Sequence, residues 1–316
     1  MKRKDSIITV GLSPAWDITC RGQNLDWGRH EVVSSCIERP AGKALNISRA
    51  LAWMGEKSIA TGLWGRNDYE LMLKAMGALK KHVKVKMTTV VGSTRRNVTV
   101  IDTTNFRDMH LRDKSELATT KTLRELKTNL EAMVRRDSVC VFAGTMPDGK
   151  LLGDVIRIVK LCRSRGAKIA LDTSGTALRQ IVDTGVMWLV KPNVEELREL
   201  LGEPIGNTPR SLVKAGQKLL DKVEIVLISR GSKGAVVVTK EGAWHGLCVG
   251  SAKVLSTVGC GDYLLAGFLK GLKDKSDVAS ALEIAIKIAT AKTRNLTESE
   301  KWLHVKQQIQ VTVNNA

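Results

Sequence analysis

The chain has no uninterrupted apolar run approaching the ~20 residues that a membrane-crossing helix needs, so a membrane protein is not expected. Its six cysteines, Cys20, Cys36, Cys140, Cys162, Cys248 and Cys260, are widely scattered. No two have the close spacing of a zinc or redox motif, so neither a metal centre nor a disulfide framework is expected. Reduced thiols are the default. Acidic side chains are in short supply, with 32 Asp and Glu against 50 Lys and Arg, for a formal net charge of +18. The basic residues come in short groups, Lys80-Lys81, Lys84 and Lys86, Arg95-Arg96, and Arg135-Arg136. They form no single block and few aromatics stand among them, which argues against a nucleic-acid surface. A positive field would instead speed the capture of phosphorylated small molecules.

What is present is a length of 316 residues and an apolar fraction of 43%, enough for one large α/β domain with an ample core. Met1-Lys2-Arg3-Lys4 has the charge of a secretory leader, but the apolar stretch after it soon meets Pro14 and Asp17. It reads better as a first strand, so the expected compartment is the cytoplasm. Short β-branched runs at 7–12, 58–63, 138–142, 167–171, 188–190, 223–228 and 235–239 alternate with amphipathic segments. In residues 122–134, Leu123, Leu126, Leu130, Met133 and Val134 share one helical face. Such alternation predicts a mostly parallel sheet flanked by helices. Residues 17–40 and 85–111 break the rhythm, alternating polar and apolar side chains like exposed antiparallel strands. They are expected to form a small β-lid over one end of the sheet, within a single domain spanning 1–316.

Several segments carry candidate chemistry. Ser256-Thr257-Val258-Gly259-Cys260-Gly261-Asp262 runs straight into an apolar helical stretch. Its glycines would let bare N–H groups face an anion, and the helix N-terminus would favour negative charge there. Asp262 in the first turn could take the proton of an attacking hydroxyl; an ordinary glycine-rich turn remains the alternative. Pro40-Ala41-Gly42-Lys43-Ala44-Leu45-Asn46 precedes helical spacing over 47–54, with Gly55 as a C-cap. Lys43 and Asn46 could reach a ligand at that helix start. In Thr94-Arg95-Arg96-Asn97, adjacent arginines on a strand face opposite ways, so only one would meet a phosphate or carboxylate. Asn193 and Glu196 match a capping box, and the same pair could hold a hydrated Mg²⁺. Ser229-Arg230-Gly231-Ser232-Lys233-Gly234 offers hydroxyls and glycines to a polyphosphate, or is a plain β-turn.

In series, these segments resemble the phosphofructokinase-B branch of the ribokinase family of sugar kinases. The matching pieces also include Ser13-Pro14-Ala15-Trp16-Asp17, Gly144-Thr145-Met146-Pro147 and Asp172-Thr173-Ser174, so the likeness runs from the first strand to the penultimate helices. The resemblance implies a ribokinase-like α/β fold and a β-lid that closes over the sugar and often helps form a homodimer. It implies ATP- and Mg²⁺-dependent transfer to the free hydroxyl of a ketohexose monophosphate. Fructose 1-phosphate leads, with tagatose 6-phosphate and fructose 6-phosphate as alternatives. By that pattern Asp262 is the base, and the amides of Gly259, Cys260 and Gly261 hold the moving phosphoryl group. Asp17, Gly42, Lys43, Asn46 and Asn97 lie on the sugar side, and Arg95 rather than Arg96 takes the sugar's phosphate. Lys191, Asn193, Ser229, Gly231, Gly234 and Thr257 face the nucleotide, and Glu196 with Asn193 positions the metal. Ala44, Cys260, Lys292 and Arg294 depart from the family's usual residues. A reading of a different class, an inactive kinase-fold scaffold with a basic nucleic-acid-binding surface, rests on the net charge alone.

Overall fold

The protein is described here by a computed structural model covering residues 6–105, 107–250, 254–274 and 277–316. The basic start Met1-Lys2-Arg3-Lys4 and Phe106 of the expected lid lie outside the described residues. In chain order the strands begin with β1 (Ile7–Gly11), β2 (Ala15–Gly22), β3 (Ser35–Ala41), β4 (Ser58–Gly65) and β5 (Val83–Val90). Next come β6 (Arg96–Asp102), β7 (Arg107–Arg112), β8 (Val139–Ala143), β9 (Lys168–Asp172) and β10 (Met187–Val190). Last are β11 (Val223–Ser229), β12 (Ala235–Val238), β13 (Ala243–Cys248) and β14 (Val311–Asn315).

A ten-stranded sheet has the order β14-β13-β12-β11-β10-β9-β8-β1-β4-β5. From β5 to β11 the neighbours are parallel, and β12, β13 and β14 add antiparallel pairs at one edge. The centre of the parallel part is buried on both faces, and there β8 and β10 are apolar at every position. Along β8, Cys140 and Phe142 enter the core on one face, Val139, Val141 and Ala143 on the other. Helices Thr120–Met133, Lys150–Ser164 and Gly175–Val182 cover the first face, with Val194–Leu201 and Pro209–Gln217. Lys43–Trp53, Cys260–Lys273 and Val278–Thr293 cover the second.

The sheet's order reverses between β1 and β8. From β1 the chain proceeds outward through β4 to β5, while β8 leads the other way through β9 and β10 to β11. The loops beyond the carboxyl ends of these strands diverge there and leave a crevice, the usual ligand site of such sheets. A second, four-stranded sheet, β3-β2-β6-β7, stands on the same loops because β2 follows β1 after three residues.

Three boundaries differ from expectation. Residues 85–90 belong to β5 of the main sheet and not to the small one. An edge strand with one wet face alternates as a lid strand does, so pattern alone could not separate them. The helix expected from Ile47 begins at Lys43, with Gly42 as its N-cap at φ 117°, which places Lys43 and Asn46 in the first turn. Ala44 and Leu45 of that turn are buried in step with Ile47 and Leu51, so the apolar spacing does reach the true start. β13 and β14, half-exposed at the sheet edge, were not anticipated.

Close backbone approach fixes two parts of the crevice. β1 and β4 meet at Gly11 and Gly62. A Cβ on Gly62, at φ +129°, would stand 1.9 Å from the Gly11 carbonyl oxygen. Between helices Cys260–Lys273 and Val278–Thr293, a Cβ on Gly267 would stand 2.5 Å from Ile288 and one on Gly271 2.6 Å from the Ala281 backbone. Gly62→Ala is expected to lose about 3 kcal/mol of stability, through strain and displacement of β1. Chemical denaturation measures this, and an unchanged midpoint would refute the packing argument.

Candidate active site

Asp262 sits in the first turn of Cys260–Lys273, where Gly259 in the left-handed conformation (φ 78°) lets the loop turn into the helix. The carboxylate is 4% exposed and accepts a 2.8 Å hydrogen bond from Asn46 Nδ2, in the first turn of Lys43–Trp53. Two helix N-termini thus converge on one oxygen. Among the described residues, neither Gly259 nor Gly261 donates its N–H to another group, as befits the open start of a helix. Lys191 leans on this turn, its Nζ 3.3 Å from where a Gly261 Cβ would lie.

Beneath that turn lies a buried carboxylate that was quoted above only within a motif and without a role. Asp172, at the carboxyl end of β9, accepts from Lys43 Nζ at 2.9 Å and pairs with Lys191 Nζ at 3.4 Å, both at Oδ1. Its Oδ2 is buried without a partner. Burial disfavours the Asp172 charge, but Lys191 and Lys43 outweigh burial and hold its carboxyl below the ordinary value. Burial likewise opposes the charge on Lys43, yet Asp172, helped by Asp262 and Glu196, keeps its ammonium above the ordinary value. For Asp262 the balance goes the other way. Burial, then the charge of Asp172, push its carboxyl up to about 7 against the Asn46 hydrogen bond and the two lysines. A carboxyl poised there can both take and release a proton near neutrality.

A second cluster stands where the small sheet meets β1. Asp17 and Asn97 are register partners on β2 and β6, and Asn97 Nδ2 donates to Asp17 Oδ1 at 3.1 Å while its own Oδ1 is buried unpaired. Arg95 donates to the carbonyls of Pro14, Ser13 and Asp113. Burial, then Arg112, lowers its guanidinium below the ordinary value, against Asp17 and Asp113. Arg96 points to the opposite face and pairs with Glu38 at 3.4 Å. The loop before Arg95 is fixed by Thr94, whose N–H and hydroxyl meet Asp68, itself the acceptor of the Trp16 indole N–H at 2.7 Å. Gly42 joins the clusters, since a Cβ there would press on Pro14 Cα at 3.3 Å.

The remaining expected residues occupy the flank. Asn193 and Glu196 close a full capping box on Val194–Leu201, each hydrogen bond 2.8 Å. Asn193 also bridges Ser229, whose N–H donates to the Pro192 carbonyl. Gly231 lies in a short 3₁₀ turn, and Gly234 is required by packing, because a Cβ there would stand 1.9 Å from the Gly246 carbonyl. Thr257 precedes the Gly259 turn, and its carbonyl accepts from the Cys260 N–H at 3.4 Å. The Cys260 thiol, pushed up to about 11 chiefly by burial, stays protonated. Lys292 lies over the Tyr263 ring at 5.5 Å, Arg294 reaches Cys248, and Ala44 is buried against Gly11.

Residues 16–300 match the family described as pfkB family carbohydrate kinase. The chain belongs to that family. This kinase is 28% identical to 1-phosphofructokinase of Vibrio cholerae over 97% of this chain and 96% of that one. It is 27% identical to tagatose-6-phosphate kinase of Staphylococcus epidermidis, over 84% and 85% of the two chains. Its fold matches phosphofructokinase-2 from Escherichia coli, solved in complex with fructose-6-phosphate, with a TM-score of 0.86, 20% identity and 97% and 98% coverage. The ribokinase-like α/β fold and the carbohydrate kinase activity follow. No helix among the described residues is long and apolar enough to cross a membrane.

Asp262 links chemistry to stability. A carboxyl raised from 3.8 to about 7 on folding favours the fold while protonated, and that contribution is lost as pH rises through about 7. Asp262→Asn, which removes the charge and can keep a hydrogen bond to Asn46, should therefore melt at a higher temperature than wild type at pH 8. The difference should shrink toward pH 5. Thermal melts at both values check this; a variant less stable at pH 8 would contradict the buried-charge account.

Proposed function

We propose that this kinase transfers the γ-phosphoryl group of ATP to the free C-6 hydroxyl of fructose 1-phosphate. The observation carrying this reading is the meeting of a buried carboxylate, two open helix-start amides and two lysines at the crevice where the sheet order reverses. The moving group in phosphoryl transfer carries spread negative charge through a loose transition state, so alignment and neutralisation dominate. Gly259 and Gly261 amides, with Lys191 beside them, would meet that group, and Asp262 would take the hydroxyl proton as the bond forms. Asn46 aims the carboxylate.

Asp17 and Asn97 would bind sugar hydroxyls, and the buried unpaired Asn97 Oδ1 suits a donor from the substrate. Arg95, partly desolvated, would hold the phosphate already on the sugar. A free sugar would leave that guanidinium without its anion, which explains a preference for phosphorylated substrates. The names of the Vibrio cholerae and Staphylococcus epidermidis relatives support the ketohexose-phosphate class. Tagatose 6-phosphate and fructose 6-phosphate remain the alternatives.

Among the described residues no cluster of three or more acidic, His or Cys side chains could cage a metal. Mg²⁺ in nucleotide sites keeps several waters and needs few carboxylates. Glu196 fits that role, because the cap engages only its Oε2 and its charge is felt at Lys43. Bound there with its waters, the ion would neutralise charge on the ATP phosphates. Ser229, Gly231, Gly234 and Thr257 would flank the nucleotide, in an enzyme whose six free thiols suit the cytoplasm.

The outward face of the small sheet, with Val98, Val100, Met109 and Leu111 in register, would dock on a second copy of the chain. Sedimentation should give twice the chain mass, and Val100→Lys should shift the species to monomer. A monomeric wild type would remove this interface.

ADP release with fructose 1-phosphate, tagatose 6-phosphate and fructose 6-phosphate, measured in parallel, tests the substrate. Asp262→Asn should lower kcat by roughly 10²–10⁴-fold with little change in KM. The acid limb of the wild-type kcat/KM profile should fall near pH 7. Arg95→Gln should raise the sugar-phosphate KM roughly 10–100-fold, the loss of a charged hydrogen bond, and leave the ATP KM in place. Equal rates for wild type and Asp262→Asn would end the general-base assignment. A wild type idle on all three sugars would end the substrate assignment.

A further inference from the structure

The end of the sheet opposite the crevice has a groove of its own. About 550 Å³ in volume, it opens at the amino ends of β1, β4 and β5, against Ser6, Ser58 and His82. That volume lies in the range of small-molecule sites. β4 and β5 run parallel with Ser58 and Val83 as their first partners, and Lys57 and His82 precede that pair. Lys80 and Lys81 close the short 3₁₀ turn Gly77–Lys81, and Lys84 is the second residue of β5. All four lysines line the groove, and among the described residues none has its ammonium paired with an acid. The one acid of the lining, Glu56, is already neutralised by Lys273, whose Nζ donates to it at 2.5 Å. His82 adds an Nδ1 that is buried without a hydrogen-bond partner.

We propose that this groove binds a small anion carrying several linked phosphates, such as a short linear polyphosphate. Four unpaired ammoniums on neighbouring elements repel one another, and a chain of phosphates would relieve all of them where a single phosphate could not. Lysine meets a phosphate as a point charge from any side, which suits a flexible chain better than a planar fork would. Among the described residues the lining holds no Phe, Tyr or Trp, so a nucleobase would find no broad ring to stack on. The site is separate from the catalytic one. Helix Lys43–Trp53, eleven residues and so about 16 Å long, starts at the crevice and leads through Gly55 and Glu56 to the groove.

Tripolyphosphate is the probe, added to the full-length protein without Mg²⁺. Its phosphates could also enter the active site, so binding is read residue by residue, as acetylation rates of single lysines by mass spectrometry. Saturating probe should slow acetylation of Lys57, Lys80, Lys81 and Lys84 severalfold. Exposed Lys240, in the turn between β12 and β13 toward the other edge of the sheet, should react as before. Sulfate at matched ionic strength should protect none of them. With Lys80, Lys81 and Lys84 all changed to Gln, the probe concentration that half-protects Lys57 should rise about tenfold or more. Unchanged ADP release shows that this variant folds. Absent protection, equal protection of Lys240, equal protection by sulfate, or an unshifted Lys57 half-point in the variant would each overturn the proposal. Protection by a single-stranded oligonucleotide and not by tripolyphosphate would do the same.

Discussion

One buried carboxylate oxygen shared by two lysines organises this crevice. Asp172 draws Lys43 from the helix after β3 and Lys191 from the loop after β10 to the same Oδ1. Lys191 is buried beside it, where an unpaired charge costs several kcal/mol, whereas Lys43 reaches it from a part-exposed position. The pair in turn offsets part of the repulsion between Asp172 and Asp262, so two carboxylates coexist near the Gly259 turn. Their environments pull the two apart, Asp172 held ionised and Asp262 raised toward neutrality. That separation of roles between neighbouring acids is what a proton acceptor beside a permanent anion requires.

The fold supplies this arrangement through backbone rather than side-chain devices. Gly62 allows β4 to approach β1, and Gly267 and Gly271 allow helices Cys260–Lys273 and Val278–Thr293 to close on each other. The first of those helices brings Asp262 in at a fixed angle. On the far side, the buried chain Trp16, Asp68 and Thr94 ties the small sheet to the main body just before Arg95. Asp17 and Asn97 therefore stand on a sheet tied to the main body at the crevice, while Asp172, Lys191 and Asp262 are rooted in the core.

Much of this was legible before any fold was known. The Gly259-Cys260-Gly261-Asp262 turn announced a helix start with an acid in its first turn, and the structure has that form. The Asn193–Glu196 pair announced a capping box, and it is one. Arg95 and Arg96 were expected to face opposite ways, as strand geometry demands, and they do. Asp172 was quoted only as part of a motif, although an acid at the carboxyl end of a buried strand was signal enough to single it out. Cys20 and Cys36 were read as scattered thiols, yet they are register partners on β2 and β3, because a spacing of sixteen says nothing about strand register.

The sequence by itself determined most of the parallel strands, the amphipathic helix at 122–134, and which short loops carry glycine, acid and base. Those properties depend on periodicity and on residues within a turn of one another. Tertiary structure decided which loops meet. Lys43, Asp172, Lys191 and Asp262 lie on four separate elements, and only the reversal of strand order at β1 and β8 brings their ends to one place. It also decided ionisation, because the burial and neighbouring charge that move Asp262 arise from chain segments far apart in sequence.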